Sequence, residues 1–522
     1  MTLLARPPLA ARASAWWRAA RVELADWFLP PWERGLLSPR ATVLVGIVLV
    51  GLALVIATQP LRVLVAGLAA AVFFVLSLVR PAVGLGLILF SVPFGTLAPV
   101  DVRGITLTAT EPLIGLVTLA WLLRVAAARQ LDWRWSPLVV PLVLFLLLEA
   151  QSVAVAPAFT LAAKEYAKWL EALALLVVTA QVVRRQEQVV FLVACLLGAG
   201  TLAALQGWYQ FSFRQGPEGF LIAERFIRAY GEFGQPNPYA GFLNLSLPFA
   251  LAVLLVALLR PPAACGRAPQ ALLLAVAGVA GVIAAAEAMT FSRAAWLGLA
   301  VAVVAMLAVC SRRTLGLLLG GLTVGLVIWL LGALDLLPAV ALERLRPLAE
   351  SVSLFDVSAV ELTPENWSVV ERVVTWQTAL EMAATNPWYG IGPGSFQVRW
   401  PEFAPLEWVL RGSNPPHAHN FYLNQLAESG IIGLAAYLIL IGAAFAYTTV
   451  RVRAAQRLGR WQGHLLAHPF ALALGLLGVL LALSVHNVFD ALFVHGMTAQ
   501  LGLTLGLVEA SWQARAQHAE GA

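Results

Sequence analysis

Charge is what this chain has least of: 12% of its 522 residues are charged, where a soluble domain carries roughly 25%. That shortage excludes a soluble enzyme. Lysine is nearly missing, with Lys164 and Lys168 its only examples. Cysteine is equally scarce. Cys195, Cys265 and Cys310 fall within apolar segments or at their ends, so no disulfide framework is expected. The alternation of apolar and polar residues that a membrane barrel strand needs is missing too, which argues against that architecture. The first strongly apolar run begins only near Ala41, too late for a signal peptide, so no cleavable leader is expected.

What the chain does have is apolar surface: 60% hydrophobic residues and a mean hydropathy of +0.81. About 20 consecutive apolar residues are needed to cross the hydrocarbon core as a helix. Such runs lie near 41–58, 62–79, 81–99, 111–128, 137–155, 165–183, 188–210, 238–259, 269–289, 294–310, 314–335, 430–450, 467–486 and 496–511. They predict an all-α polytopic membrane protein with about 12–14 transmembrane helices and one large external loop that contains helices. Residues 1–40 read as a cytoplasmic interfacial arm, with Trp16, Trp17, Trp27 and Trp32 interleaved with arginines. Residues 41–335 hold the first eleven helices, 336–429 the external loop, 430–511 the last three helices and 512–522 a cytoplasmic tail.

The net charge of +6 is topological. With a cytoplasmic N-terminus, alternate connections hold Arg80, Arg124, Arg129, Arg134, Arg184, Arg185, Arg260, Arg267, Arg312, Arg313 and the group Arg451, Arg453, Arg457 and Arg460. The positive-inside rule expects this bias, so no nucleic-acid partner is needed to explain it. The remaining arginines are then the informative ones.

On the opposite face, Arg225 and Arg228 lie in the segment 211–237, near Asn237 in Gly234-Gln235-Pro236-Asn237. Arg293 occupies the short turn Thr290-Phe291-Ser292-Arg293. Arg372 sits on a helix expected to start at Thr363-Pro364-Glu365 and end at Asn386-Pro387, before the turn Gly390-Ile391-Gly392-Pro393-Gly394. His417, His419 and Asn420 close the large loop in Asn414-Pro415-Pro416-His417-Ala418-His419-Asn420. Asp490, in His486-Asn487-Val488-Phe489-Asp490, reaches the same face. Arg captures phosphate oxygens with a planar fork that stays charged, so these arginines suggest a phosphate or pyrophosphate carried by lipid. Simpler roles exist for each: Arg293 snorkelling at a helix end, Arg225 pairing with Glu224 or Glu232, and Arg372 as a surface residue beside Glu371. His-x-His can also hold zinc, but no nearby carboxylate or thiol completes a tetrahedral set, and no metal is expected.

The motifs resemble the O-antigen ligases and the related Wzy-type O-antigen polymerases, bacterial membrane glycosyltransferases. The ligase signature is His, then Asn, Ser or Gln, nine residues, Gly, two residues and a small or aromatic residue. It reads here as His419-Asn420, Phe421 to Ser429, then Gly430-Ile431-Ile432-Gly433. Supporting stretches are Gly234-Gln235-Pro236-Asn237, Phe291-Ser292-Arg293, Glu371-Arg372-Val373-Val374-Thr375-Trp376 and Gly390-Ile391-Gly392-Pro393-Gly394-Ser395-Phe396, so the resemblance spans about 190–500. It implies transfer of a glycan from a polyprenyl (undecaprenyl) pyrophosphate carrier to a lipid, glycan or protein acceptor, at the outer, periplasmic face of the plasma membrane. The implied reaction is inverting, metal-independent and cofactor-free. Arg293 and Arg372 would hold the pyrophosphate and His419 would activate the acceptor. Arg228, Arg225, Asn237, His417, Asn420 and Asp490 would bind substrate or orient these groups. The alternatives are a polymerase of the same family and a transporter or flippase for an anionic lipid or solute.

The orientation is testable. Single cysteines at Ser395 and Ser413, in a cysteine-free background, should react with a membrane-impermeant maleimide in intact cells, whereas cysteines at Gln186 or Arg457 should not. The reverse labelling pattern would put the histidines in the cytoplasm.

Overall fold

A computed structural model describes residues 60–97, 99–102, 105–129, 133–222, 225–259, 270–310, 367–457 and 463–520, with the single positions 316, 320 and 323. The interfacial arm, the expected span 41–58, the expected span 314–335 apart from those three positions, and the helix start at Thr363-Pro364-Glu365 lie outside the described residues. The chain divides into a first unit, 1–72, and a second, 73–522, which holds every candidate site residue.

The remaining apolar runs all fall on helices. In chain order they are α1 Leu61–Val79, α2 Pro81–Phe94, α3 Thr110–Ala128, α4 Val139–Val155, α5 Phe159–Val182, α6 Gln186–Ser212, α7 Pro236–Leu243, α8 Leu247–Leu259, α9 Gln270–Met289 and α10 Arg293–Cys310. Three loop helices follow, α11 Trp367–Thr385, α12 Phe396–Phe403 and α13 Leu406–Leu410, then α14 Phe421–Gln456, α15 Pro469–His486 and α16 Met497–Glu520. Two short antiparallel hairpins, β1–β2 (Val100–Val102, Ile105–Leu107) and β3–β4 (Leu221–Ile222, Phe226–Ile227), are the only sheet among the described residues. Seven helices there are long and apolar enough to cross a membrane, and shorter apolar helices accompany them. This is an all-α polytopic membrane protein.

α15 is apolar all round and buried along nearly its whole length, the pattern of a central helix. It packs against α8, α10 and α14, while α5 packs on α16. Lipid is as apolar as leucine, so close van der Waals approach has to hold such helices together. Gly502 and Gly506, a small-xxx-small pair on α16, let it approach α5 until an added Cβ would lie 2.3 Å from the Ala172 carbonyl oxygen and 2.7 Å from that of Leu176.

α14 departs from the sequence expectation. Its apolar run starts at Gly430, but the helix begins at Phe421, where the Asn420 side chain accepts a hydrogen bond from the Leu423 N–H at 3.0 Å. It then breaks at Gly430, with φ 66° and ψ −168°. No interrupted helix is evident from the hydropathy, because the half before Gly430 is mixed polar and only the half after it forms an apolar run.

The turn 387–392 passes through the break and supplies the missing partners. Ile391 N–H donates to the Ala427 carbonyl at 3.0 Å and Gly392 N–H to that of Glu428 at 2.8 Å. In return, Ile431 N–H donates to the Pro387 carbonyl at 2.7 Å and Ile432 N–H to that of Trp388 at 3.3 Å. Without these bonds the buried backbone groups would each cost several kcal/mol in hydrocarbon, about 2–7 on transfer scales. The fit demands glycine on both sides. A Cβ at Gly430 would meet the Trp388 carbonyl at 2.4 Å, and one at Gly390 would meet the Glu428 carbonyl at 2.3 Å. Glu149 of α4 clamps the same junction, accepting from Ser429 Oγ at 2.5 Å and Gln425 Nε2 at 2.9 Å.

Ser395 is fully buried and Ser413 half-buried, so of the two proposed labelling positions only Ser413 reports on sidedness in the folded protein. For the break itself, Gly430→Ala and Gly390→Ala should each sharply reduce folded protein in the membrane. The positive-φ backbone alone costs a side chain about 1–3 kcal/mol, and the backbone clash adds to it. Gly442→Ala, where nothing lies within 4 Å, should be tolerated. Size-exclusion profiles of detergent extracts check this, and an intact Gly430→Ala profile would contradict it.

Candidate functional site

The histidine loop is held from three sides. From α11, Thr375 Oγ donates to the Ala418 carbonyl at 3.0 Å and Trp376 Nε1 to the His419 carbonyl at 3.4 Å. From α14, Asn424 Oδ1 accepts from the Ala418 N–H at 3.1 Å. From the turn after α15, the carbonyls of Asn487 and Asp490 both accept from the Phe421 N–H, at 2.8 and 2.9 Å. Arg372, Thr375 and Trp376 are three and four residues apart on α11, hence on one face. The Glu-Arg-x-x-Thr-Trp stretch therefore docks the histidine loop and presents an arginine to it. Below lies an aromatic floor in which Phe421 packs on Phe493 and Tyr437 with ring centroids 4.7 and 4.8 Å apart. Such pairs contribute roughly 0.5–1.5 kcal/mol each beyond their buried area.

These contacts hold His419 in a left-handed conformation, φ 48°, which a non-glycine residue adopts only when its surroundings enforce it. Its Nδ1 faces Asp490 Oδ1 at 3.7 Å, and His417 Nε2 faces the same oxygen at 3.7 Å. The two imidazoles meet edge to face, 4.7 Å apart. His417 Nδ1 accepts from the His419 backbone N–H at 3.2 Å, so in the neutral ring the proton sits on Nε2, toward Asp490. Burial pushes the His417 pKa down to about 4 against the opposing pull of Asp490. Burial alone would raise the Asp490 carboxyl, but the facing imidazoles of His419, His417 and His486 outweigh it and hold the group well below the usual carboxylate range.

The arginines gather beside this group. Burial lowers the Arg372 pKa, with Asp490 opposing and Arg293 adding to the shift. Burial likewise lowers that of Arg228, with Arg372 and Arg293 contributing. All three guanidiniums stay charged, so they repel one another and an anion placed among them would relieve the repulsion. Arg228 is tied to the Arg293 turn through its Nε and the Thr290 carbonyl, 2.7 Å, and its Nη2 lies 3.4 Å from Asn237 Oδ1. The neighbouring Phe291 also has positive φ, 52°.

Arg228, Asn237, Arg293, Arg372, His417, His419 and Asp490 thus come together. Arg225 does not join them: it is exposed on the β3–β4 turn, its guanidinium 5.2 Å over the Phe226 ring. Asn420 adjoins the site, but its side chain caps α14. The expectation that no carboxylate completes the histidine pair is corrected, because Asp490 arrives from a distant stretch of chain. One ligand atom from each of His417, His419 and Asp490 lies within 4.8 Å of the others, so these residues could hold a cation. Sequence reasoning missed Thr375, Asn424 and Glu428 as site-supporting residues. The signal for two of them was Asn420, Asn424 and Glu428 at four-residue spacing on one helix face.

A multi-pass membrane protein with a histidine–carboxylate group beside clustered arginines is equipped for transfer chemistry on an anionic substrate. The family is more specific. Residues 278–438 match the family model described as O-Antigen ligase, which bears out the resemblance to the O-antigen ligase and polymerase family over that part of the chain. The matched segment includes Arg293, Arg372, His417, His419, Asn420 and Gly430 but not Arg228 or Asp490. No curated protein matches the chain.

The low His417 pKa has a measurable consequence. Between pH 6.5 and 4 the unfolded chain binds a proton at this residue that the folded chain does not. Stability therefore falls as the pH drops through that window. Thermal unfolding of the detergent-solubilised protein should show a steeper loss for wild type than for His417→Asn over this range. Parallel profiles would show that the ring is not held neutral.

Proposed function

We propose that the protein transfers a glycan from a polyprenyl pyrophosphate to an acceptor hydroxyl at the outer face of the plasma membrane, as an O-antigen ligase-like enzyme. The supporting observation is that Asp490 serves two groups at once: it faces His419 at 3.7 Å and interacts with Arg372 among the arginines. A base for the nucleophile and cations for the leaving group are thereby held side by side.

In this reading Nδ1 of His419 carries a proton toward Asp490, leaving Nε2 to receive the acceptor's. The acceptor oxygen attacks the anomeric carbon as its proton passes to Nε2. The bond from that carbon to the phosphate oxygen breaks, and its electron pair leaves on the pyrophosphate. Attack opposite the leaving group inverts the anomeric centre. Asp490 stabilises the imidazolium; a unit pair at this distance is worth on the order of 4 kcal/mol at an effective dielectric near 20. That is comparable to the ~10²–10⁴-fold a general base contributes. Arg293, Arg372 and Arg228 stabilise the departing diphosphate. The acceptor is a lipid, a glycan or a protein hydroxyl; a growing lipid-linked glycan as acceptor makes the same chemistry a polymerase.

The grouping of His417, His419 and Asp490 favours one competing reading, a bound divalent cation that activates the acceptor. The arginines beside Asp490 oppose it by charge repulsion, and they supply the positive charge that the leaving group needs.

Transfer by the purified protein from a synthetic polyprenyl-pyrophosphate oligosaccharide to membrane extract tests both readings. His419→Ala should lose about 10²–10⁴-fold in rate at normal membrane abundance. Arg293→Lys and Arg372→Lys should be severely impaired although charge is kept, since Lys lacks the bidentate fork. Chelators should leave wild type unchanged. Near-normal transfer by His419→Ala would end the base assignment, and chelator-sensitive activity restored by a divalent ion would establish the metal reading instead.

A further inference from the structure

Three motif segments meet at one side chain that lies in the nine-residue gap of the signature. Glu428 is buried on the first half of α14. Its Oε1 accepts from the Phe396 N–H at 2.8 Å and its Oε2 from Asn424 Nδ2 at 3.0 Å. The other end of that amide, Asn424 Oδ1, accepts from the Ala418 N–H between the two histidines at 3.1 Å. The backbone carbonyl of Glu428 also accepts from the Gly392 N–H at 2.8 Å. The donors run in one direction, from the histidine loop through the Asn424 amide to the carboxylate.

We propose that Asn424 and Glu428 are positioning residues that hold the His417-Ala418-His419 loop in its reactive conformation. This rests on the assignment of His419 as the base. A left-handed His419 is strained, so the bonds to the flanking Ala418 peptide must resist its relaxation. Two act on Ala418 itself, from Thr375 at its carbonyl and to Asn424 at its N–H. The amide of Asn424 is oriented from both ends, by the Ala418 N–H at its oxygen and by Glu428, which accepts from its nitrogen. Loss of that acceptor leaves the amide held at its oxygen alone, which loosens its grip on the Ala418 N–H and lets the His419 ring move away from Asp490. Displacements near 1 Å at a reacting group cost on the order of 10²-fold in rate.

The polarity of the relay supplies the test. In Glu428→Gln, whichever way the new amide is turned, its NH₂ opposes either the Phe396 N–H or the Asn424 NH₂. Adding Asn424→Asp removes the conflict: the carboxylate accepts from both the Ala418 N–H and the Gln NH₂, while the Gln carbonyl accepts from Phe396. The full-length protein in nanodiscs is measured in two ways, hydrogen exchange of a peptide covering 414–421 and transfer from the synthetic polyprenyl-pyrophosphate oligosaccharide.

Glu428→Gln should speed exchange in that peptide and lower kcat about 10–100-fold with KM for the donor unchanged. The double variant Asn424→Asp/Glu428→Gln should restore both. A double variant no better than Glu428→Gln, or a loss confined to KM, would overturn the positioning role. If exchange follows the expected pattern but His419→Ala retains transfer, the brace stands as a structural feature and the base assignment fails with the positioning role.

Discussion

Breaking α14 at Gly430 leaves backbone groups with no helical partner, and the turn 387–392 passes through the gap to satisfy them. Much of the site end depends on that crossing. It joins the segment after α11 to the first half of α14, and those two elements are what grip the histidine loop through Thr375, Trp376 and Asn424. The glycines of both motifs, Gly390 and Gly430, face each other's backbone neighbours across the same contact. Two stretches far apart in sequence are thus halves of one joint.

The second organising feature is electrostatic. Asp490 is the carboxylate that both histidines face, and it also counters the burial of Arg372. An ionised carboxylate in a buried setting is costly unless it is well partnered. Here the Ala491 N–H donates to its Oδ1 at 2.8 Å, and two imidazoles and a guanidinium surround it rather than one bidentate ion pair. That leaves the imidazoles at 3.7 Å, too far for a hydrogen bond, but near enough for the charge to act on whichever proton they carry. The segment that matches the ligase family model ends before Asp490, so the group is completed by the turn between the chain's last two helices.

Much was legible beforehand. Every expected span within the described residues lies on a helix, and the short polar motifs Gly-Gln-Pro-Asn, Phe-Ser-Arg, Glu-Arg-x-x-Thr-Trp and His-Ala-His-Asn mark residues that converge in space. Arg225 was misleading because a positive charge beside Arg228 looks equivalent in one dimension, yet a hairpin turn points it outward over Phe226. Asn424 and Glu428 escaped notice because the residues between the signature's His-Asn and its Gly read as spacing rather than as contacts.

Composition and run length determined the class by themselves: hydrocarbon leaves no water to satisfy a backbone, so long apolar segments must be helices that bond internally. The residue types at the site were also set in one dimension, since only arginine offers a permanent charged fork and only histidine titrates near neutrality. Tertiary structure decided the rest. That Asp490 stands against His419, that Asn420 caps a helix, and that α14 breaks where another segment can repair it all depend on which distant groups meet. Hydrogen bonds and charges act over a few ångströms of space, whatever the separation along the chain.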